Sequence, residues 1–184
     1  MQNKKQDFFK KELRTLVECA VLIALGIALG YIKIQLGPQG GSVDIVMVPL
    51  FIIAFRHGPL WGVGSGLVYG LLKCILVGGI GWGLPSVLLD YVLAYGAVGV
   101  AGVFKGKQSL YELGVVLGGL LRFAVHFISG VTIYAITTST DLFGMNFTNA
   151  SLYSLVYNGS YMILNIILAV VIIFFLKKPL RKYI

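Results

Sequence analysis

The sequence predicts an all-helical integral membrane protein, a single bundle of six transmembrane helices with both chain ends in the cytoplasm. Three observations carry this. Of 184 residues, 58% are hydrophobic and 12% charged, with a mean hydropathy of +0.89, a balance far from that of soluble domains and suited to lipid as solvent. The apolar residues mostly fall in stretches near the roughly 20 that a helix needs to cross a bilayer core. Twelve of the 15 Lys and Arg gather at one set of stretch ends: Lys4, Lys5, Lys10, Lys11 and Arg14, then Arg56, Lys105 and Lys107, then Lys177, Lys178, Arg181 and Lys182. Connections at 35–42, 78–84 and 137–150 contain none. That is the positive-inside pattern. A net charge of +8 distributed in this way argues against a nucleic-acid partner, which would want a basic stripe.

The first span, 13–34, follows a basic start, is too long for a signal-peptide core and lacks a small-residue cleavage pattern, so it is expected to be retained. Gly37-Pro38-Gln39-Gly40-Gly41 breaks the chain before the second span, 43–55, which is short for a crossing. Arg56-His57-Gly58-Pro59 separates it from the third, 59–77, and the glycine-rich run 77–83 precedes the fourth, 85–104. Lys105-Gly106-Lys107 and residues 137–149 separate the last spans, 110–136 and 151–176. Residues 1–184 thus form one membrane domain, with no repeat, linker or extramembrane domain. Cys19 falls near the inner end of the first helix and Cys74 near the outer end of the third, too far apart to bond, and both read as packing residues.

Polar side chains at membrane depth are costly, so those facing the protein interior are functional candidates. Asp44 opens the second helix from outside. Asp90 lies about one and a half turns into the fourth, roughly 8 Å deep at 1.5 Å per residue, with Tyr91 beside it. On the fifth helix Arg122 and His126 are spaced i, i+4 on one face, and Tyr134 lies two turns further out. Tyr153, Tyr157 and Asn158 cover the first turns of the sixth, and Lys73 stands one turn beyond Tyr69 on the third. Read alone, Asp90 and Arg122 fit an interhelical ion pair as well as ligand contacts. A lone His126 is more often a packing residue, and Tyr153 and Tyr157 fit an aromatic belt. Their convergence in the outer half favours a pocket opening outward, with residues 38–42 either a turn or a gate over it. Aromatic faces plus carboxylates suit a flat cationic heterocycle, whereas a highly anionic ligand would want more bases than Arg122 and Lys73.

On the first helix Ala20, Ala24 and Ala28 repeat every four positions, with Gly26 and Gly30 as a second pair on a neighbouring face. Such spacing permits close helix contact, either inside the bundle or with a partner.

The segments Pro38-Gln39-Gly40-Gly41-Ser42-Val43, Leu88-Leu89-Asp90-Tyr91, Leu121-Arg122-Phe123 with His126 and Ile128-Ser129-Gly130, and Tyr153-Ser154-Leu155 followed by Tyr157-Asn158, in this order and spacing, resemble the thiamine-specific S-components of energy-coupling-factor (ECF) vitamin importers. The resemblance extends over nearly the whole chain. It implies a bacterial cell-membrane protein that captures thiamine outside and hands it inward with an energising module, itself neither an enzyme nor a holder of cofactor or metal. It implies thiamine contacts at Asp90, Tyr91, His126, Tyr153 and Asn158, with Asp44 and Arg122 matching further site positions. Tyr69 and Tyr134 stand where some relatives have tryptophan, and both acids are Asp where some have Glu. Gly40 replaces a loop tryptophan, with Trp82 as the candidate substitute. The repeat Ala20, Ala24, Ala28 is similar to the family's docking motif for the transmembrane coupling subunit, which works with a pair of ATPase subunits. The chain has no phosphate-binding loop of its own. An S-component for another vitamin or a thiamine precursor is the near alternative. An intramembrane serine hydrolase using Ser65 and His126 is the distant one, disfavoured because the two fall at different depths and no nucleophile elbow exists.

Overall fold

The computed structural model describes residues 2–36, 41–136 and 138–182. Helix α1 spans Gln2–Leu29. Strands β1 (Ile34–Gln35) and β2 (Ser42–Val43) pair antiparallel, Ile34 opposite Val43 and Gln35 opposite Ser42. There follow α2 (Met47–His57), α3 (Pro59–Leu76), α4 (Leu84–Phe104) and α5 (Tyr111–Thr132). A second hairpin, β3 (Thr140–Leu142) with β4 (Met145–Phe147), leads into α6 (Ala150–Leu176).

Helices α3, α4, α5 and α6 are long and apolar enough to cross a membrane. Exposed apolar side chains such as Leu120, Ile163, Ile167 and Phe175 give them an oily exterior, as lipid contact requires. The 11 residues of α2 rise only roughly 16 Å, and eight of them are buried, among them Leu50, Phe51 and Phe55. Its place is inside the protein: the Phe55 ring stacks on Tyr111 of α5 with centroids 4.1 Å apart.

Four boundaries differ from the sequence expectation by more than two residues. The first helix begins at Gln2 rather than 13, its basic start being helical as well. The first helix ends at Leu29, not 34: beyond Gly30, β-branched Ile32 and Ile34 alternate with Tyr31 and Lys33, a strand period. The second begins at Met47 rather than 43, because Ser42–Val43 is in a strand and the Asp44 carboxylate accepts the Val46 backbone N–H at 3.2 Å. The fifth ends at Thr132 rather than 136, where the Thr132 hydroxyl donates to the Ile128 carbonyl at 2.7 Å, a side-chain bond that competes with continuing the helix.

One stripe sets how α3 and α4 meet. A Cβ on Gly62 would fall 2.7 Å from the Gly99 carbonyl oxygen, and one on Gly66 or Gly70 would overlap the backbone carbonyl of Tyr95 or Tyr91. Glycines every fourth residue therefore hold the two backbones in contact. Opposite that stripe α4 is irregular, with Val87–Leu93 in π-helical geometry and Gly99–Phe104 in 3-10 geometry. Wide turns of this kind recur at functional sites, and this one carries Asp90 and Tyr91.

At the end of the bundle where α2 meets α3, Glu18 on α1 binds Arg56 through two contacts of 2.6 and 2.9 Å, Arg14 at 3.0 Å, and lies 3.0 Å from His57. Lys105 donates to the His57 carbonyl at 3.3 Å, and Lys177 pairs with Glu112. Cys19 and Cys74 are buried and free.

Candidate functional site

At the opposite end a cavity of about 370 Å³ is lined by residues of the first hairpin, α3, the turn after it, α4, α5 and α6. This is the size range of small-molecule sites. The fourth helix supplies its acid. Asp90 accepts the Ser86 hydroxyl at 3.0 Å and the buried Ser129 hydroxyl at 2.7 Å on one oxygen, and meets His126 Nδ1 at 3.1 Å on the other. Ser86 in turn shares a hydrogen bond of 2.7 Å with the Tyr134 hydroxyl, and the Tyr134 ring meets Trp82 edge-on at 6.1 Å. One carboxylate thus organises α4 and α5 around it. His126 Nε2 is buried without a partner among the described residues.

The cationic side is built separately. Arg122 is 5% exposed, lies 4.2 Å over the Tyr95 ring, and has Nε and Nη1 unpartnered among the described residues. Lys73 donates to the Tyr95 hydroxyl at 2.5 Å and lies 3.9 Å from the Asp44 carboxylate. No Asp90–Arg122 ion pair forms. Asp90 is satisfied by hydroxyls and imidazole, and Arg122 rests on an aromatic face, so the guanidinium keeps donors for something else.

From α6, Asn158 donates to the Ser154 carbonyl at 3.0 Å and to that of His126 at 3.3 Å, and accepts the Tyr161 hydroxyl at 2.6 Å. Tyr157 receives the Gly41 backbone N–H at 2.8 Å, fastening the first hairpin to α6. A Cβ on Gly41 would lie 2.6 Å from the Tyr161 ring. Residues 38–40 of the expected gate, Gly40 included, lie outside the described residues.

Of the ten candidate binding residues read from the sequence, seven line the cavity: Asp90, Tyr91, His126, Asn158, Arg122, Tyr134 and Trp82. Three stand behind its wall. Asp44 is 4% exposed and its carboxylate turns to the Val46 N–H and the Ser42 hydroxyl. Tyr69 is fully buried, edge-on to Tyr95 at 4.6 Å, so Tyr95 presents the aromatic surface expected of Tyr69. Tyr153 packs between Phe147 and Tyr157. Sequence reasoning missed Ser86, Tyr95 and Tyr161. Ser86 was detectable as the i−4 neighbour of Asp90, and Tyr161 as the i+3 neighbour of Asn158. Lys33 and Gln35 also line the cavity; Lys33 falls in the stretch expected to be helical and Gln35 in the connection after it.

Ser65 is buried on α3 and does not line the cavity, so the Ser65–His126 hydrolase pair is not assembled. On α1 the two small-residue repeats part company. Gly26 and Gly30 pack inward, where added Cβ atoms would sit 3.0 Å from the Tyr69 ring and 3.4 Å from Val46. Ala20, Ala24 and Ala28 are exposed.

Comparison with known proteins gives one family. The family described as "Thiamine transporter protein (Thia_YuaJ)" matches residues 16–184. The chain is 34% identical over 179 residues to thiamine transporter ThiT of Bacillus subtilis, covering 89% of this chain and 90% of that protein. It is 29% identical over 182 residues to ThiT of Lacticaseibacillus paracasei, covering 89% and 86%. The solved structure of ThiT from Listeria monocytogenes superposes with a TM-score of 0.78 at 27% identity, covering 94% of this chain and 98% of that one.

Proposed function

This chain belongs to the thiamine transporter protein family, and from that premise we propose that it is the thiamine-capturing S-component of an ECF importer in the bacterial plasma membrane. It forms one membrane domain of six helices with both ends in the cytoplasm, and the cavity opens outward. The observation that carries this is the Asp90 constellation. A carboxylate held by Ser86, Ser129 and His126 keeps its charge for a ligand that donates hydrogen bonds, and the aromatic rings of Trp82, Tyr91 and Tyr134 line the same cavity.

Thiamine joins an aminopyrimidine to a positively charged thiazolium, both flat. Asp90 takes the amino donors through charge-assisted hydrogen bonds. The unpartnered Arg122 N–H groups serve ring acceptors. The rings of Trp82 and Tyr134 offer faces to the thiazolium, while Tyr91, His126 and Asn158 complete the enclosure. Asp44, Tyr69 and Tyr153 act from behind: Asp44 holds Lys73, Tyr69 braces Tyr95, and Tyr153 backs Tyr157.

The exposed stripe of Ala20, Ala24 and Ala28 docks the transmembrane coupling subunit, to which a pair of ATPase subunits supplies the energy. Its exposure supports this, since the neighbouring glycine pair already serves internal packing. Isothermal titration of the purified, folded protein with thiamine tests the proposal. Tight one-to-one binding is expected. Absence of binding, or preference for another vitamin or a thiamine precursor, overturns the assignment of substrate.

A further inference from the structure

The first hairpin returns to the bundle through residues 41–46, part strand and part irregular backbone, before α2 begins. Asn165 meets this segment from α6. It is 1% exposed and stands roughly 22 Å along that helix from Ala150, at 1.5 Å per residue. At such depth in a helix that crosses the membrane, an unpaired backbone group has no water to turn to. The Asn165 carboxamide answers two of them: Nδ2 donates to the Ser42 carbonyl at 2.9 Å, and Oδ1 accepts the Asp44 backbone N–H at 2.8 Å. The Leu36 N–H bonds the Gly41 carbonyl at 2.8 Å, and Ile34 stands opposite Val43 on the same edge of the strand. Backbone groups alternate between the two edges, so the Ser42 carbonyl and the Asp44 N–H face away from β1, and one carboxamide does for them what a further strand would. We propose that Asn165 is a positioning residue for ligand retention: it seats the inner end of the first hairpin against α6 and so sets how long the cavity holds its occupant. The retention role rests on the thiamine reading above.

Asn165 does not line the cavity, but the residues it grips act there. Ser42 is part of the wall. Asp44 acts through a relay: its carboxylate lies 3.9 Å from Lys73, Lys73 donates to the Tyr95 hydroxyl, and Arg122 lies 4.2 Å over the Tyr95 ring. Displacing residue 44 therefore loosens Lys73, Tyr95 and Arg122 in turn, all three of them in the wall. Tyr157, about two turns further out on α6, accepts the Gly41 N–H at 2.8 Å. A hairpin of two-residue strands has little stability of its own, so these two α6 contacts hold it, and the deeper one binds two backbone groups at once. Losing that seat puts no obstacle in the way of entry and removes one to exit, so it acts on the release rate.

The test compares wild type with Asn165→Ala and Asn165→Leu in nanodiscs. Both variants delete the two bonds but differ in side-chain volume, so an effect common to both belongs to the bonds and not to packing. Stopped-flow fluorescence of Trp82, which lines the cavity, gives the association and release rates of thiamine. Release is expected to quicken by roughly tenfold in each variant, the scale of one to two neutral hydrogen bonds, with association within about threefold of wild type. Backbone amide exchange of residues 42–46, followed without ligand, should quicken by a similar factor while that of α5 stays as in wild type. An unchanged release rate in both variants overturns the retention role, and unchanged exchange at 42–46 overturns the seat itself. A smaller binding-competent fraction with unchanged release, exchange that rises throughout the bundle, or failure of both variants to fold makes Asn165 a purely structural contact and overturns the proposal. If Asn165→Ala alone fails to fold, Asn165→Leu carries the comparison. If wild type does not bind thiamine, the functional reading falls, and the exchange comparison, which needs no ligand, still decides the seat.

Discussion

Replacing Asp90 with Asn separates the charge of this side chain from its shape. In the native site its oxygens meet Ser86 at 3.0 Å, Ser129 at 2.7 Å and His126 at 3.1 Å. Serine hydroxyls accept as well as donate, so both can rotate toward the new amide, and the local network survives with a cost of about 1 kcal/mol. The ligand has no such freedom. Its bonds to a carboxylate, about 1.5–3 kcal/mol when charge-assisted, fall to neutral ones, and attraction to its cationic ring is lost. Together these give roughly 2 kcal/mol, or about a thirtyfold weaker Kd. Asp90→Ala also strands the Ser129 hydroxyl and His126 Nδ1 and should cost more than a hundredfold. Isothermal titration with thiamine reads both, with circular dichroism and gel filtration checking the fold. An Asp90→Asn protein that is folded and binds as tightly as wild type would refute the reasoning, because the carboxylate charge would then be unused.

Three further outcomes follow from other contacts. Gly41→Val forces a side chain into the Tyr161 ring and the Tyr157 hydroxyl, so it should detach the first hairpin from α6 and weaken thiamine binding about five- to a hundredfold in the same titration, an overpacking cost of about 1–3 kcal/mol. Ala24→Leu should leave thiamine binding intact, since that position is exposed, yet reduce co-purification of the coupling subunit severalfold in a pull-down. Glu18→Gln removes the charge that joins Arg14, Arg56 and His57 and should lower the thermal midpoint in detergent, a loss of about 1–3 kcal/mol for a part-buried ion cluster.

Much of the fold was legible because its cause is local. The four helices α3 to α6 are continuous apolar runs bounded by Gly, Pro or Lys, and their ends lie within a few residues of expectation, apart from the four-residue overshoot at Thr132. What failed depended on partners distant in sequence. Ile32 and Ile34 look like more membrane helix until Ser42 and Val43 are seen to pair beside them. Asp44 looks like a ligand group because its acidity is visible, while the Val46 N–H and Lys73 that occupy it are not. Tyr69 and Tyr95 are both tyrosines near the right depth, and only the glycine contact between α3 and α4 decides which one faces the cavity. The π-helical turn at Val87–Leu93 leaves no signature in composition, yet it carries the central carboxylate. Of the candidates chosen for convergence at one depth, Asp90, Arg122, His126 and Asn158 line the cavity, whereas Asp44 and Tyr153 stand behind it.

Mass spectrometry of the small molecule that co-purifies with the untreated protein bears most directly on the central claim, that polar groups from separate helices enclose one guest at this end of the bundle. Thiamine, near one per chain in wild type and depleted in Asp90→Ala, is the predicted result. A different compound retained equally by both proteins would contradict it.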